Sequence, residues 1–237
     1  MDYVIFFADN WWRILLSAVI AYLLGSINTA VIITKIVTGK DIRKMGSGNA
    51  GFTNVLRSVG KAPAVFTIIF DFLKGVAAVA IGGLIFLSVP LPPDANPVLT
   101  NEFMAVGKYV AGVCCILGHS YPVYFHFKGG KGVVTAAALM LVSDWRVFLL
   151  ILGTFLIVFL ATKTISVASL SCAALYGFYT LIISLTYDFF SGAGYSLTYV
   201  IFCTLCSFLI GAFVIIKHKD NIKRIMNGEE KKISAKK

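Results

Sequence analysis

Two stretches in the second half of the chain, residues 164–187 and 189–216, run for the length of a membrane span without one charged side chain. Such a run can leave water only as a helix, because in lipid every backbone N–H and C=O must be satisfied within the segment itself. About 20 residues at roughly 1.5 Å each cover the roughly 30 Å hydrocarbon core. A third uncharged run, 14–34, follows Trp11 and Trp12, which read as interface anchors. Residues 147–162 are shorter and end at Lys163, 62–89 carry Asp71 and Lys74, and 103–118 carry Lys108. Residues 132–143 make only about half a span. The composition agrees: 58% of the 237 residues are apolar and only 14% charged, against roughly a quarter charged in soluble domains. A water-soluble, disordered or fibrous protein is excluded. The expectation is an all-α polytopic integral membrane protein of about seven transmembrane helices, in one domain over 1–230 with a basic tail over 231–237.

Counting all seven runs puts the termini on opposite sides, and the charges choose which. With the C-terminus inside, the cytoplasmic segments collect Lys35, Lys40, Arg43, Lys44, Arg57, Lys61, Lys128, Lys131, Lys163 and eight more basic residues from 217 to 237. Only Arg13, Lys74, Lys108 and Arg146 fall elsewhere, while Asp2, Asp9, Asp94, Glu102, Asp144 and Asp188 gather opposite. The positive-inside rule then gives N-out and C-in. It also accounts for the net charge of +10 without nucleic acid. The stretch 90–97, rich in proline, reads as an external loop. No signal-peptide pattern opens the chain. Cys114, Cys115, Cys172, Cys203 and Cys206 all lie in apolar runs, so packing is a better reading of them than metal or redox chemistry.

Three polar segments fall on the face read as cytoplasmic: GSGNAGFTNVLR over 46–57, GHSYP at 118–122 running on to KGGKG at 128–132, and HKDNIKR at 218–224. A rim of Ser, Asn, Arg, His and Lys at a membrane surface is a site by default. A Gly-Gly-Lys-Gly turn can take positive φ and aim successive N–H groups at one anion. Lys131 adds a charge, and a helix opening at Gly132 adds the positive end of its dipole. Asn54 and Arg57 stand three apart on one helical face, where an arginine can grip phosphate bidentately. This is no nucleotide P-loop, since Phe stands at 125 and Gly132 follows the lysine. Two anion cradles beside lipid suit ligands with anionic heads and at least one apolar chain. Asp71 and Lys74, three apart and roughly 10–15 Å past a helix start near Pro63, read as a neutralising pair at least as readily as a catalytic one.

The strings GSGNAGFTNVLR, GHSYPVYFHFKGGKGVVT and HKDNIKRIMNGEE resemble, in order, the three motifs of the bacterial acyl-phosphate:glycerol-3-phosphate acyltransferase family (PlsY). DFLKG at 71–75 and the Gly25-Ser26 pair look like further family elements; Tyr124, Val134, Lys219 and Asn28 depart from the usual residues. The resemblance implies transfer of a fatty acyl group from acyl phosphate to the 1-hydroxyl of glycerol 3-phosphate. Lysophosphatidic acid and phosphate would be the products, made for phospholipid synthesis at the cytoplasmic face of a bacterial plasma membrane. It implies no metal, nucleotide or coenzyme A. Membrane lipid and the soluble enzyme that makes acyl phosphate are the partners it suggests, with no nucleic acid.

By the same resemblance, His119, Ser47, Arg57, His218 and Asn221 form the catalytic set. Asn49, Gly51, Asn54, Gly129, Gly130, Lys131 and Gly132 contact substrate, the glycine turn holding the glycerol phosphate, and Glu230 ties the tail to a basic partner; Ser166, just inside the membrane after Lys163, reads equally as a head-group contact or as a helix-packing serine. His119 is the obvious candidate base. The competing reading lets an oxygen of the acyl phosphate take the proton while His119 orients it. An H-x-x-x-x-D acyltransferase is unsupported, because the positions five after the three histidines are Tyr124, Lys131 and Lys223. A carrier for organic phosphate is the alternative from another class, though the polar motifs share one face instead of lining a path across the midplane. A lipid-binding scaffold would leave them without a purpose.

Overall fold

The structure, a computed structural model, describes residues 3–90 and 96–233. Among these residues every regular element is helical, and the chain is an all-α polytopic integral membrane protein. Among the described residues six segments are long and apolar enough to cross a bilayer: Asp9–Thr38, Lys61–Leu87, Val98–Phe125, Trp145–Thr162, Ile165–Phe189 and Leu197–Lys217. The half-length seventh run forms Val133–Ser143, 11 residues or about 16 Å of helix. Residues 91–95 of the expected external loop lie outside the described residues, as do Asp2, Asp94 and positions 234–237 of the basic tail.

The chain divides into two compact units, Met1–Ser143 and Asp144–Lys237. In the first, α1 (Tyr3–Ser26), α2 (Thr29–Thr38) and α3 (Phe52–Ser58) precede α4 (Lys61–Leu87), α5 (Val98–Ser120) and α6 (Val133–Ser143). Helix α5 packs against both α1 and α4, and α6 lies on α4 and α5. At the α1–α5 crossing, a β-carbon on Gly25 would sit on the Cys115 backbone and one on Gly118 on the Tyr22 carbonyl. Small residues let the two backbones approach, and this fixes the end of α5 that carries the next residue, His119.

The first span is not the continuous helix its unbroken apolar run suggests. It stops at Ser26 and restarts at Thr29, where the Asn28 side chain accepts a hydrogen bond from the Val31 N–H at 3.1 Å and caps α2. Asn28 is fully buried, so the break is wrapped in protein, the condition under which irregular backbone is tolerated at membrane depth. The carbonyl freed at Ile27 accepts from the Lys74 ammonium at 2.7 Å.

The second unit holds α7 (Trp145–Thr162), α8 (Ile165–Ile183), α9 (Leu197–Lys217) and the short α10 (Lys219–Met226). Helix α8 packs against α7 and α9 and runs on as one π-helical segment, Ser184–Phe189. Arg146 pairs with Asp144 at 2.7 Å and with Asp188 at 2.8 Å, joining the start of α7 to the end of the α8 segment. The last span begins at Leu197, later than the uncharged run from 189 predicts. Gly192 and Gly194 take φ of 80° and 85°, which no helix continues through, and the Ser196 side chain then caps α9 by accepting from the Tyr199 N–H at 3.1 Å.

Candidate active site

The loop before α3 is organised by one buried amide. Asn54 Nδ2 donates to the carbonyls of Ile42, Met45 and Asn49 at 3.1, 2.9 and 3.0 Å, and Oδ1 accepts from the Ser47 N–H at 3.0 Å. With two amide hydrogens shared among three carbonyls, the Asn54 side chain is occupied inside its own loop. Arg57, one turn on, is exposed, so these two residues do not present one common face. Ser47 is exposed at the loop tip and Asn49 half-buried. Gly51, extended at φ −166°, leads into α3.

Two contacts lay this loop against the second motif. Arg43, held by Asp41 at 2.7 Å, donates to the Phe125 carbonyl at 2.6 Å. That hydrogen-bonded pairing holds the Asp41 carboxyl below its ordinary range and raises the Arg43 guanidinium. The Ala50 carbonyl and the His119 ring both press on Gly130: a β-carbon there would meet His119 Nε2 and lie 2.8 Å from the Ala50 oxygen. The Gly130 N–H donates to the His119 carbonyl at 3.1 Å. Positive φ, expected through the glycine turn, is needed only at Gly132, with φ 81°; Gly130 is required for clearance. Lys131 is half-buried between them. Helix α6 opens at the next residue, as the sequence suggests, with the Gly132 carbonyl accepting from the Ala136 N–H at 2.9 Å.

Beneath the turn lies a buried charged cluster. Asp71 and Lys74 pair at 2.8 Å, and His119 joins them, its Nδ1 3.1 Å from Lys74 Nζ and 3.6 Å from Asp71 Oδ1. The Thr29 hydroxyl donates to the same carboxylate oxygen at 2.7 Å. All four residues are at most 9% exposed. The neutral pair of α4 therefore touches the foremost catalytic candidate of α5.

In the second unit His218 is buried and its Nδ1 lies 2.7 Å from the Val214 carbonyl, which can only accept, so Nδ1 carries the proton. Glu230 gathers the C-terminal segment. Its Oε1 accepts from Ser166 Oγ and from Asn221 Nδ2, both at 2.8 Å, and its Oε2 from Arg224 Nε at 2.7 Å. The Ser166 hydroxyl is thus directed at Glu230, and Arg224 is the basic partner of the tail.

Residues 15–228 match the family described as Glycerol-3-phosphate acyltransferase. The chain is 37% identical over 220 residues to the Glycerol-3-phosphate acyltransferase of Clostridioides difficile (strain 630), covering 93% of this chain and 95% of that one. It is 35% identical over 224 residues to that of Trichormus variabilis, covering 92% and 91%. The crystal structure of PlsY (YgiH), an integral membrane glycerol 3-phosphate acyltransferase in its glycerol 3-phosphate form, superposes with TM-score 0.73 at 32% identity, covering 93% of this chain and 96% of that one. Its lysophosphatidic acid form gives TM-score 0.70 at the same identity, covering 93% and 95%. The chain belongs to the glycerol-3-phosphate acyltransferase family. As a membrane acyltransferase of that family, it draws its candidate residues from motifs that the fold assembles within each unit.

What sequence reasoning missed in this acyltransferase is the attachment of Asp71, Lys74 and Thr29 to His119. A signal existed: two charges three apart on an otherwise apolar helix share a face and must meet something polar. Glu230 offers a direct pH test. Burial opposes its charge, but the hydrogen bonds from Arg224, Ser166 and Asn221 outweigh it and hold the carboxyl below its ordinary 4.5. A lowered folded value means the clasp stabilises fully above that ordinary range and is lost as pH falls through the lowered one. In detergent, Glu230→Gln is expected to unfold at a lower temperature than wild type at pH 7. The gap should close as pH falls through that lowered range; a gap that does not change with pH would rule out a role for the charge.

Proposed function

We propose that this acyltransferase moves a fatty acyl group from acyl phosphate to the 1-hydroxyl of glycerol 3-phosphate, releasing lysophosphatidic acid and inorganic phosphate. The observation that carries this reading is the seating of the Ser47-bearing loop on the Gly129–Gly132 turn, with His119 buried under the same turn. Backbone N–H groups, the start of α6 and Lys131 offer one anion-binding surface there. The exposed Arg57 suits a second phosphate. Glycerol 3-phosphate and an acyl phosphate both carry the charge this surface takes, and the acyl chain of the donor belongs in lipid.

In the step itself, the 1-hydroxyl oxygen bonds to the acyl carbon and the acyl carbon–phosphate oxygen bond breaks. The hydroxyl proton passes to an oxygen of the departing phosphate. A mixed anhydride is already activated, so the protein's task is positioning and charge stabilisation. We propose His119, Ser47 and Arg57 as catalytic residues of the first unit; His218 and Asn221 are proposed as catalytic residues within the second. Gly129, Gly130, Lys131 and Gly132 hold the acceptor phosphate, with Asn49 and Gly51 beside the donor; Asn54 and Ser166 serve by shaping the loop and the tail. No metal or nucleotide enters the step. The site faces the cytoplasm of a bacterial plasma membrane, N-terminus outside, where the soluble enzyme that makes acyl phosphate delivers its product.

Purified protein given both substrates is expected to release phosphate, and to release none when either is omitted or when acyl-coenzyme A replaces acyl phosphate. Labelled glycerol 3-phosphate crossing proteoliposomes without turnover would instead mean a carrier.

A further inference from the structure

We infer that Lys74 is a positioning residue that fixes His119 as a hydrogen-bond donor, with its proton on Nε2, so that this ring orients a substrate phosphate and does not act as the base. The inference rests on the acyltransferase reading above and goes one step further into it. The Lys74 ammonium has three N–H groups and meets three acceptors: Asp71 Oδ1 at 2.8 Å, the Ile27 carbonyl at 2.7 Å and His119 Nδ1 at 3.1 Å. An ammonium has no lone pair, so the third contact makes Nδ1 the acceptor. The Asp71 carboxylate lies farther from that nitrogen than the ammonium does. Its near oxygen is 3.6 Å away, outside hydrogen-bond range, and already accepts from Lys74 and from Thr29.

With Nδ1 accepting, the proton of the neutral ring sits on Nε2, the atom that faces Gly130. Proton abstraction at that place needs a lone pair on Nε2, hence a proton on Nδ1, which would point at an ammonium 3.1 Å away. The break between α1 and α2 is part of the device, since it frees the Ile27 carbonyl that takes one ammonium proton. His218 is held in the opposite sense: Nδ1–H donates to the Val214 carbonyl and Nε2 keeps the lone pair.

The test reads the ring proton directly. Wild-type enzyme carrying 15N-histidine, in nanodiscs, should show a His119 signal with Nε2 protonated and Nδ1 bare, assigned by its disappearance in His119→Gln. In Lys74→Met the proton should move toward Nδ1, with kcat for phosphate release about tenfold to a hundredfold lower and KM for glycerol 3-phosphate within about threefold. A merely structural lysine would change yield and melting temperature without moving the ring proton. His119→Gln keeps an N–H near the position of Nε2 and should retain turnover about tenfold below wild type, whereas His119→Leu should lose on the order of a hundredfold or more. A wild-type ring protonated on Nδ1, a glutamine variant as inactive as the leucine one, or an unchanged ring proton in Lys74→Met would each overturn the inference. If Lys74→Met does not fold, the wild-type spectrum decides alone. Because that spectrum needs no turnover, absence of acyl transfer would sink the proposed reaction separately from the tautomer.

Discussion

Gly130→Ala is expected to lower kcat/KM for phosphate release by about a hundredfold or more, with the protein still folded. The added β-carbon would land on His119 Nε2 and 2.8 Å from the Ala50 carbonyl. Neither neighbour can yield independently. The imidazole is tied to Lys74 at its other nitrogen, and the Ala50 carbonyl belongs to the loop that Asn54 binds at three carbonyls. The turn itself must move, taking Lys131 and the start of α6 with it. A displacement of about 1 Å in a positioning element can cost about a hundredfold in rate. Gly153→Ala is the control, because on α7 nothing lies within 4 Å of the new carbon; its phosphate release should match wild type. Comparable activity in both variants would mean that the glycine turn does not hold substrate.

That contrast shows what the sequence could disclose. The uncharged runs at 164–187 and 189–216 disclose helices because lipid leaves a backbone no other solution. The grouping of 46–57 with 118–132 was legible through charge, and the Arg43 and Ala50 contacts realise it. The use of each polar side chain was not legible. Asn54 and Ser166 read as candidate ligand contacts, yet the first is spent on its own loop and the second points at Glu230. A motif records which polar groups are present, while their partners depend on backbone geometry that no spacing rule carries. The interruption at Ile27 and Asn28 was hidden for a related reason. Two residues inside an apolar run leave its hydropathy unchanged, and only the capping amide of Asn28 hints that the helix restarts.

The same cluster predicts a large and asymmetric response in stability. Asp71→Leu leaves the Lys74 ammonium buried within α4 without its counter-ion, and removing one partner of a buried pair costs about 3–5 kcal/mol. The double variant Asp71→Leu/Lys74→Leu removes both charges, and exchanging a buried pair for apolar groups of similar size is often close to neutral. Here recovery should be partial. The Ile27 carbonyl and His119 Nδ1 lose the ammonium that donated to them, and the Thr29 hydroxyl loses its acceptor. Each buried polar group left without a partner costs about 1–3 kcal/mol, offset where the Thr29 hydroxyl turns to the Thr67 carbonyl, now 3.4 Å away. Denaturant unfolding in detergent should place the double variant between Asp71→Leu and wild type, a coupling of about 1–3 kcal/mol. Activity should not follow stability back. With the lysine gone, nothing holds the His119 proton on Nε2, so the double variant should remain about tenfold or more below wild type in kcat. Equal recovery of stability and turnover would make the cluster a fold element alone; no recovery of either would mean that the two charges do not act as a pair.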